Sequence, residues 1–240
     1  MSTIIIIPTY NEAQNLQVLA PQLAQAVPEA HLMLVDDASP DGTADKAEEL
    51  FKTRPEYANY SVLRRTGPRG LGLAYRDGFS KAMEKGYDRV LQMDADLSHD
   101  PFDIPTLLAA SARADLVIGS RYVRNGKVRD WPQRRVLLSR FAGWYVRQVL
   151  GTPFTDPTAG FRCWTRKGLQ AVKVGTLRSE GYAFQVEMIL RAFRAHLNIE
   201  EVPITFSDRT HGKSKMSWVV LFESMLLPWA LRFQTGRYKE

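Results

Sequence analysis

The chain has little cysteine and no long uninterrupted apolar segment. Cys163 is the only cysteine among 240 residues, so no disulfide can form within the chain, and a reducing, cytoplasmic setting is predicted rather than a secreted one. No stretch reaches the ~18 apolar residues that a membrane-spanning helix needs. Residues 2–7 run directly into Pro8 without the length or positive charge of a signal peptide. We therefore expect neither an integral membrane protein nor a secreted one.

Composition and charge indicate the number of domains and the kinds of ligand that the protein can bind. With 45% apolar and 24% charged residues, the chain is long enough for one substantial core, and one domain is expected. The net charge of +6 favours an anionic ligand or surface. The basic residues form no recognisable nucleic-acid recognition motif, so no nucleic-acid partner is expected.

Apolar runs alternate with helical stripes through the first half of the chain. Strands are predicted at Ile4–Ile7, Leu32–Val35, Ser61–Leu63, Val90–Met93 and Leu116–Ile118. This order predicts an α/β fold with a mostly parallel central sheet and helices on both faces. The second half is less regular. It contains a basic stretch (124–147), a turn region (156–162), a helix near 184–196 and a strand near 199–206.

Polar clusters follow four of the predicted strands. They are Pro8-Thr9-Tyr10-Asn11-Glu12, residues 36–43, Asp94-Ala95-Asp96 and Gly119-Ser120-Arg121-Tyr122. Parallel strands present their carboxyl ends at one edge of a sheet, where ligands bind. The four clusters therefore predict one shared site.

Asp94 and Asp96 are the most informative pair in that site. Two carboxylates one residue apart at a strand end repel each other, and a hard divalent cation such as Mg²⁺ or Mn²⁺ relieves that repulsion. The alternative is that acidic residues cap the helix that begins near Pro101. His99 follows closely, but hard cations do not favour imidazole, so we expect a loop or cap role for it.

A sugar nucleotide fits the remaining side chains. Tyr10 is suited to packing against a base, Asp37 to accepting hydrogen bonds from a base edge, and Glu12 to accepting from ribose hydroxyls. The carboxylate pair would hold the metal that neutralises a diphosphate. Arg121 adds a guanidinium fork for phosphate. The glycine-rich segment 67–72 lacks the spacing of a dinucleotide fingerprint and is interpreted as a turn near the nucleotide or a plain loop.

The same blocks resemble the signature blocks of family 2 glycosyltransferases with the GT-A fold, with Asp94-Ala95-Asp96-Leu97-Ser98-His99 as the third block. Further blocks resemble the polyprenol-phosphate (dolichol-phosphate) mannose synthases. They are Trp131-Pro132-x-x-Arg135, Asp156-x-Thr158-Ala159-Gly160-Phe161-Arg162, Gly181-Tyr182-x-Phe184-Gln185-x-Glu187-Met188 and residues 202–216. The similarity covers nearly the whole chain.

The resemblance implies a set of site residues. A GDP-mannose site would be built from Pro8, Tyr10, Glu12, Val35, Asp37, Asp94, Ala95, Asp96, Arg121, Arg209 and Lys215. Asp96, with Asp94, would bind Mg²⁺ or Mn²⁺, and Asp96, Arg121, Arg209 and Lys215 would act in catalysis. The acceptor phosphate would lie near Arg121, Arg135 and Ser139. Some relatives have a glutamine where this chain has Ser98, which leaves the third side-chain metal ligand open.

The implied activity is an inverting transfer of mannose from GDP-mannose to a polyprenyl (dolichyl) phosphate, giving β-mannosyl phosphoryl polyprenol and GDP. A phosphate monoester is already anionic near neutral pH, so the acceptor needs no general base. Asp156 is the best remaining candidate for a base. We expect it instead to be a turn residue before Pro157 that bonds its own backbone.

Two alternatives stay open at this point. One is a transferase of the same fold that uses UDP-glucose or another UDP-sugar on a polyprenyl phosphate. The other is a non-catalytic, membrane-associated module that holds a nucleotide sugar. The absence of carboxyl-terminal spanning helices and of a Gln-x-x-Arg-Trp block favours the mannose synthase.

The predicted organisation is a catalytic domain (1–215) followed by an amphipathic helix (216–240). Within the domain, residues 1–122 would bind the nucleotide and 123–215 the acceptor. The terminal segment either packs on the core or lies in a membrane interface, since both roles use apolar residues at helical spacing. The expected location is peripheral, on the cytoplasmic face of the membrane, with membrane-anchoring partner subunits as a further possibility.

Overall fold

The computed structural model describes residues 1–177, 179, 181–208 and 218–233. The strands are β1 (Thr3–Thr9), β2 (His31–Asp36), β3 (Tyr60–Arg64), β4 (Arg89–Gln92), β5 (Leu116–Ser120), β6 (Lys127–Val128), β7 (Arg162–Thr165), β8 (Ile199–Pro203) and β9 (Thr205–Phe206). The helices are α1 (Ala13–Ala26), α2 (Thr43–Phe51), α3 (Leu71–Glu84), α4 (Ile104–Ala110), α5 (Gln133–Leu150), α6 (Arg166–Ala171), α7 (Gly181–Arg194) and α8 (Trp218–Phe233).

Seven strands form the central sheet in the order β3-β2-β1-β4-β7-β5-β8. All neighbouring pairs are parallel except those of β7, which runs antiparallel to both β4 and β5. β6 and β9 pair separately as a short parallel ribbon beside the sheet. The predicted mostly parallel sheet is confirmed, and the five predicted strands of the first half are all present.

The alternation of side chains along β1 explains the two layers of helices. Ile5 and Ile7 pack with α1, α2 and α4 on one face, whereas Ile4 and Ile6 pack with α3, α6 and α7 on the other. A strand that is buried on both faces needs a continuous apolar sequence, which the run of four isoleucines supplies. Helices on both faces of the sheet are thus confirmed.

Strand β7 was missed in the sequence, where its first residue was assigned to the end of a turn. It is four residues long and begins with an arginine, so it lacks the apolar run that marks the other central strands. Cys163 lies in its middle as a small buried residue, and burial raises the pKa of its thiol to about 12.

Helix α8 packs on the protein through one side. Leu231 is buried in a cluster with Val146 of α5 and with Val186 and Leu190 of α7. Met225, on the same helix, is exposed. In the part of the chain that the structure describes, no helix is both long and apolar enough to cross a membrane.

Candidate active site

The chain leaves β1, β2 and β4 through turns that each hold a non-glycine residue at positive φ. These are Asn11 (62°), Ala38 (56°) and Leu97 (62°). Such residues are uncommon in the left-handed region, and the conformation costs free energy that surrounding contacts must offset. The three turns lie at the carboxyl ends of neighbouring strands, so the predicted common edge is confirmed.

The turn after β2 is held by carboxylates beside the predicted ligands. Asp36 accepts from the Thr9 hydroxyl (3.1 Å) and from the Ser39 hydroxyl (2.6 Å). Asp41 accepts from the backbone N–H of Ala13 at the start of α1 (3.2 Å) and of Thr43 at the start of α2 (3.0 Å). These bonds tie the first two helices to the site edge.

Asp37 lies in a pocket whose other members the sequence did not indicate. Its Oδ1 pairs with Nη1 of Arg65, and its Oδ2 accepts from the Gly70 backbone N–H at 2.7 Å. Arg65 is itself buried and also donates through Nε to Asp77 at 2.6 Å. The segment 67–72 therefore packs against the residue predicted to bind the base, in agreement with its interpretation as a turn near the nucleotide.

Tyr10 and Glu12 lie on the same edge. The guanidinium of Arg69 lies 4.9 Å from the centre of the Tyr10 ring and donates to the Tyr10 hydroxyl. Glu12 Oε2 accepts from the side-chain amide of Asn15 at 2.6 Å. The ring predicted to pack against a base thus already carries one planar cationic group on its face.

Three other predicted nucleotide contacts are constrained by the sheet. Pro8 pairs in register with Val35. The side chains of Val35 and Ala95 are buried in the two apolar clusters of the core. Only the main chain of these two residues can therefore face a ligand, and all three residues stay predictions.

The carboxylates of Asp94 and Asp96 are each positioned by a neighbouring hydroxyl. The Tyr75 hydroxyl donates to Asp94 Oδ1 at 3.1 Å, and burial together with the charge of Asp94 raises the pKa of Tyr75 well above its ordinary value. Asp96 Oδ1 accepts from the hydroxyl of Ser98 (2.6 Å) and from its N–H (3.2 Å). Ser98 stands at the position where the third side-chain metal ligand was left open. Its side chain is a hydrogen-bond partner of Asp96.

The capping alternative for this acidic pair is wrong. The residue that caps the following helical turn is Asp100, whose side chain accepts from the backbone N–H of Phe102 at 2.9 Å. The carboxylate of Asp94 instead accepts from the Tyr75 hydroxyl, and that of Asp96 from the Ser98 hydroxyl. The helix start therefore has its own acidic residue.

His99 is buried directly behind Asp94. Its Nδ1 accepts from the Asp94 backbone N–H at 3.3 Å. Burial lowers the pKa of His99, although Asp94 and Asp96 act in the opposite direction, so the ring is neutral and free to accept at Nδ1. The predicted loop role for this histidine is confirmed.

The donor set fits a hard divalent cation that is completed by substrate. Among the residues that the structure describes, no three His, Cys, Asp or Glu side chains are grouped to hold a metal ion. Mg²⁺ and Mn²⁺ commonly bind one or two carboxylates together with phosphate oxygens and water rather than a full protein cage. Asp94 and Asp96 supply that number of carboxylates.

Arg121 forms a bidentate ion pair with Asp156. Its Nε and Nη2 lie 2.7 Å from the two carboxylate oxygens, and its backbone N–H lies 3.1 Å from Oδ2. Burial raises the pKa of Asp156, but the charge and hydrogen bonds of Arg121 outweigh it and leave that pKa below its ordinary value. Asp156 lies in a turn as predicted, but its carboxylate binds Arg121 and not its own backbone.

Aromatic rings surround this ion pair. The Arg121 guanidinium lies 5.1 Å from the Tyr122 ring centre, 5.2 Å from that of Phe206 and 5.9 Å from that of Trp131. The guanidinium of Arg135 lies 3.8 Å over the same Trp131 ring. Trp131 therefore packs between two of the residues predicted to bind the acceptor phosphate, and we call the segment from Arg121 to Trp131 the acceptor loop.

The other two residues predicted to lie near the acceptor phosphate, Arg135 and Ser139, are both on α5. Arg135, at the start of α5, also donates to Asp208 at 2.9 Å. Ser139 lies one turn further along the same helix, on the face of Arg135. Arg209 and Lys215, predicted to bind the nucleotide sugar and to act in catalysis, lie outside the described residues.

A buried arginine supports the turn between the two halves of the site. Arg162 donates to the carbonyls of Pro157 (3.0 Å) and Gln185 (2.9 Å), and burial lowers its pKa to about 10. The turn places Gly160 so close to Asp94 that a Cβ at Gly160 would lie 3.3 Å from Asp94 Oδ2. The absent side chain at Gly160 leaves room for that carboxylate.

Comparison with known proteins agrees with this geometry. The model of the family described as Glycosyl transferase family 2 matches residues 4–172. The chain belongs to glycosyltransferase family 2. This family 2 glycosyltransferase is 43% identical over 238 residues to the polyprenol monophosphomannose synthase of Mycolicibacterium smegmatis, covering 98% of this chain and 89% of that protein.

A second relative has the same type of name. The undecaprenyl-phosphate mannosyltransferase of Micrococcus luteus is 45% identical over 226 residues, which cover 94% of this chain and 92% of that protein. The resemblance to polyprenol-phosphate mannose synthases is thereby confirmed.

Solved structures confirm the GT-A fold of this glycosyltransferase. Glucosyl-3-phosphoglycerate synthase from Mycobacterium tuberculosis, in complex with Mn²⁺, UDP and glucosyl-3-phosphoglycerate, superposes with a TM-score of 0.69. The alignment covers 97% of this chain and 79% of that one at 18% identity. A complex of that enzyme with phosphoglyceric acid gives the same TM-score at 17% identity.

Several residues that shape the family 2 site were missed in the sequence. Arg65 lies in a run of two arginines that closes β3, and nothing in that run marks it as buried. Glu201 accepts from the backbone N–H groups of Thr155 (2.7 Å) and Asp156 (2.9 Å). A charged residue inside a predicted strand was the only available signal for Glu201, since its partners lie more than forty positions away.

Proposed function

We propose that this chain transfers mannose from GDP-mannose to a polyprenyl phosphate with inversion at the anomeric carbon. One observation carries the proposal. The carboxylates Asp94 and Asp96 follow β4 and Arg121 follows β5, at the same edge of the sheet. Relatives that are named for mannosyl transfer to polyprenyl phosphates match almost the whole chain at 43–45% identity.

The pocket around Asp37 supports a guanine nucleotide as donor. A carboxylate has about four acceptor positions, and the bonds from Arg65 and Gly70 use one on each oxygen. The guanine edge offers two adjacent donors and a carbonyl acceptor, which a carboxylate beside a guanidinium complements. Uracil presents one such donor, so it would use this pair less fully.

The diphosphate would lie at Asp94 and Asp96. A bound Mg²⁺ or Mn²⁺ would supply charge neutralisation for the leaving nucleoside diphosphate. The hydroxyls of Tyr75 and Ser98 hold the two carboxylates in place, so they need no reorganisation as the ion binds. Arg209 and Lys215 are proposed to add positive charge at the departing phosphate.

The acceptor phosphate is proposed to lie near Arg121, Arg135 and Ser139. Since the acceptor is anionic, positioning its oxygen in line with the anomeric carbon suffices for attack. Asp156 is a poor general base because its pKa is depressed and both its oxygens bind Arg121. Its function in this reaction is to fix the Arg121 side chain.

A lipid acceptor requires contact with a membrane, and α5 and α8 carry a suitable surface. We define the apolar face by its exposed side chains: Leu137, Leu138, Phe141 and Trp144 of α5, and Met225, Leu226, Trp229 and Phe233 of α8, which are 43–74% exposed. On α5, Arg140 lies among them in sequence and Arg134 lies three residues before the first of them. Large apolar and aromatic groups beside arginines are typical of helices at an anionic membrane interface.

The two helices are joined within this face. The Tyr145 hydroxyl donates to the Met225 carbonyl at 2.7 Å and accepts from Nε1 of Trp229 at 2.9 Å. α8 therefore both packs on the core and presents apolar side chains outward, so the two roles considered for it are compatible. Peripheral attachment to the cytoplasmic face, with or without partner subunits, is part of the proposal.

The division of labour along the chain is also proposed. Residues 1–122 would bind the nucleotide and 123–215 the acceptor, followed by the membrane-facing segment 216–240. The proposed boundary after residue 122 lies just beyond the end of β5 at Ser120, in the segment that leads from Arg121 to Trp131.

A screen of donors and acceptors tests the activity. The protein is incubated with GDP-mannose, UDP-glucose or UDP-N-acetylglucosamine, with Mg²⁺ or Mn²⁺, and with a polyprenyl phosphate in vesicles. Mannosyl phosphoryl lipid from GDP-mannose is expected, and its β configuration is checked by NMR. Product from a UDP-sugar alone would support the UDP-sugar transferase, and nucleotide-sugar binding without any product would support the non-catalytic module.

A further inference from the structure

We propose that His99 is a positioning residue that joins the metal-binding turn to the acceptor loop. The proposal rests on the proposed function, because it assigns Asp94 to the donor side and Arg121 to the acceptor side. The sequence pattern alone did not indicate which residues the His99 ring contacts.

One contact of His99 reaches the donor side. Nδ1 accepts from the backbone N–H of Asp94 at 3.3 Å. Asp94 sits between the end of β4 and Leu97, which is at positive φ. The hydrogen bond to His99 Nδ1 holds the Asp94 main chain in position. It therefore also sets the point from which the Asp94 carboxylate projects.

Two ring contacts of His99 reach the acceptor side. His99 stacks on Phe161 with ring centres 5.0 Å apart, and it meets the edge of Phe206 at 5.3 Å. The backbones join at the same place, through a bridge between His99 and Phe206 and a bond from Ser207 N–H to the Ser98 carbonyl at 3.1 Å.

Phe206 continues the chain of contacts to the predicted acceptor residues. Its ring lies 5.2 Å from the Arg121 guanidinium and 5.3 Å from the Trp131 ring. Trp131 in turn lies beneath Arg135. The imidazole thus accepts a hydrogen bond from the Asp94 turn and also makes a T-shaped contact with the ring beneath Arg121.

The two halves of this role depend on different properties of the side chain, so they can be separated. His99→Phe keeps an aromatic ring against Phe161 and Phe206 but has no acceptor for Asp94. His99→Asn keeps an oxygen acceptor near the position of Nδ1 but removes the ring. Phe206→Leu removes the T-shaped ring contact with His99 and leaves the bond from Asp94 to His99 in place.

Two measurements report the two sides. Mn²⁺ binding in the presence of GDP is followed by the EPR signal of free Mn²⁺, and the KM for a short-chain polyprenyl phosphate is measured in the transfer assay. His99→Phe is expected to weaken Mn²⁺ binding about tenfold, as loss of an outer-shell hydrogen bond does, with the acceptor KM unchanged. His99→Asn and Phe206→Leu are expected to raise the acceptor KM about fivefold, with Mn²⁺ binding unchanged.

His31 provides matched controls, because its ring contacts Tyr87 and not the site. His31→Phe and His31→Asn should leave both constants unchanged. Equal shifts of both constants in His99→Phe and His99→Asn would indicate a general loss of stability and would overturn the proposal. Should the His99 variants not fold, judged by circular dichroism, Phe206→Leu decides, and an unchanged acceptor KM there also overturns it.

The failure of the proposed function is distinguishable. If the wild-type protein binds Mn²⁺ and GDP but transfers no mannose to any polyprenyl phosphate, the proposed activity is wrong. The effect of His99→Phe on Mn²⁺ binding then still tests the donor half of the positioning role.

Discussion

Arg121 and Asp156 lie 35 positions apart and face each other through two parallel hydrogen bonds of 2.7 Å. Asp156 is fully buried, and Glu201 accepts from the backbone N–H of the same residue. The guanidinium that is predicted to bind phosphate is therefore oriented before any substrate arrives. Its orientation depends on Asp156, because both carboxylate oxygens of that residue bind it.

Asp156→Asn should destabilise the protein at neutral pH by about 3–5 kcal/mol, the cost of removing one partner of a buried ion pair. Because the pKa of Asp156 is lowered in the folded state, the pair stabilises the fold above the unfolded pKa of about 4 and this contribution is lost as pH falls below it. The difference between wild type and variant in urea unfolding should thus shrink from pH 5 to pH 3.

The exposed pair of Asp45 with Arg64 serves as the control for that series. Asp45→Asn should change the unfolding free energy little at any pH, because exposed ion pairs contribute little. A difference between wild type and Asp156→Asn that stays constant down to pH 3 would contradict the depressed pKa.

Gly160→Ala should weaken metal binding without unfolding the protein. The added Cβ would lie 3.3 Å from Asp94 Oδ2, a tight contact that pushes the carboxylate from its position. The expected result is a rise of about tenfold in the Mn²⁺ concentration for half-maximal activity. Gly175→Ala is the matched control, since no atom lies within 4 Å of its Cβ position; equal behaviour of the two variants would refute the steric argument.

Asp96→Ala should abolish transfer, whereas Asp100→Ala should not. Asp96 is a proposed metal ligand, while Asp100 caps a helical turn, and loss of such a cap costs about 1 kcal/mol of stability. Turnover and thermal unfolding of the two variants are compared side by side. Undiminished turnover in Asp96→Ala would remove Asp96 from the metal site.

The apolar face should bind vesicles through both helices. Trp144→Glu and Trp229→Glu, one on each helix, are each expected to reduce co-sedimentation with anionic vesicles, because each places a negative charge among the exposed apolar groups. Val18→Glu on α1 makes the same kind of change at another exposed position and should leave binding unchanged. If Trp144→Glu and Trp229→Glu bind vesicles as well as Val18→Glu does, the apolar face is not the membrane-binding surface.

Truncation after Lys215 is a weaker test of the same idea. It would remove Leu231, which is buried against α5 and α7. A truncated chain could therefore lose vesicle binding because its fold is damaged. The point substitutions leave that packing intact.

The sequence predicted the parts of the site that depend on local pattern. Buried parallel strands have apolar runs, and the acidic and aromatic groups directly follow them, so Asp37, Asp94 and Asp96 could be placed at one edge from spacing alone. The short run Arg162–Thr165 has no such pattern. Its burial results from its two neighbouring strands, which a linear pattern does not contain.

Long-range pairing accounts for most of what the sequence did not predict. Arg65 with Asp37, Arg121 with Asp156 and His99 with Phe206 are separated by 28, 35 and more than one hundred positions. Each residue type is common at turns and strand ends, so none is informative by itself. The pairs become visible only when the sheet order brings their turns together.

Strand β7 separates β4 from β5 and pairs with both, with Arg162 opposite Gln92 and Ile118. The end of β4 leads to the proposed metal-binding turn, and the end of β5 leads to Arg121. These two ends are therefore separated by β7, which runs in the opposite direction. The chain leaves the central sheet after β5 and returns to it in the adjacent strand β7, so residues 121–161 form one excursion between these two strands. A surface excursion of this kind tolerates changes in length and sequence while both of its ends stay fixed, so a different acceptor can be accommodated without rebuilding the proposed nucleotide site.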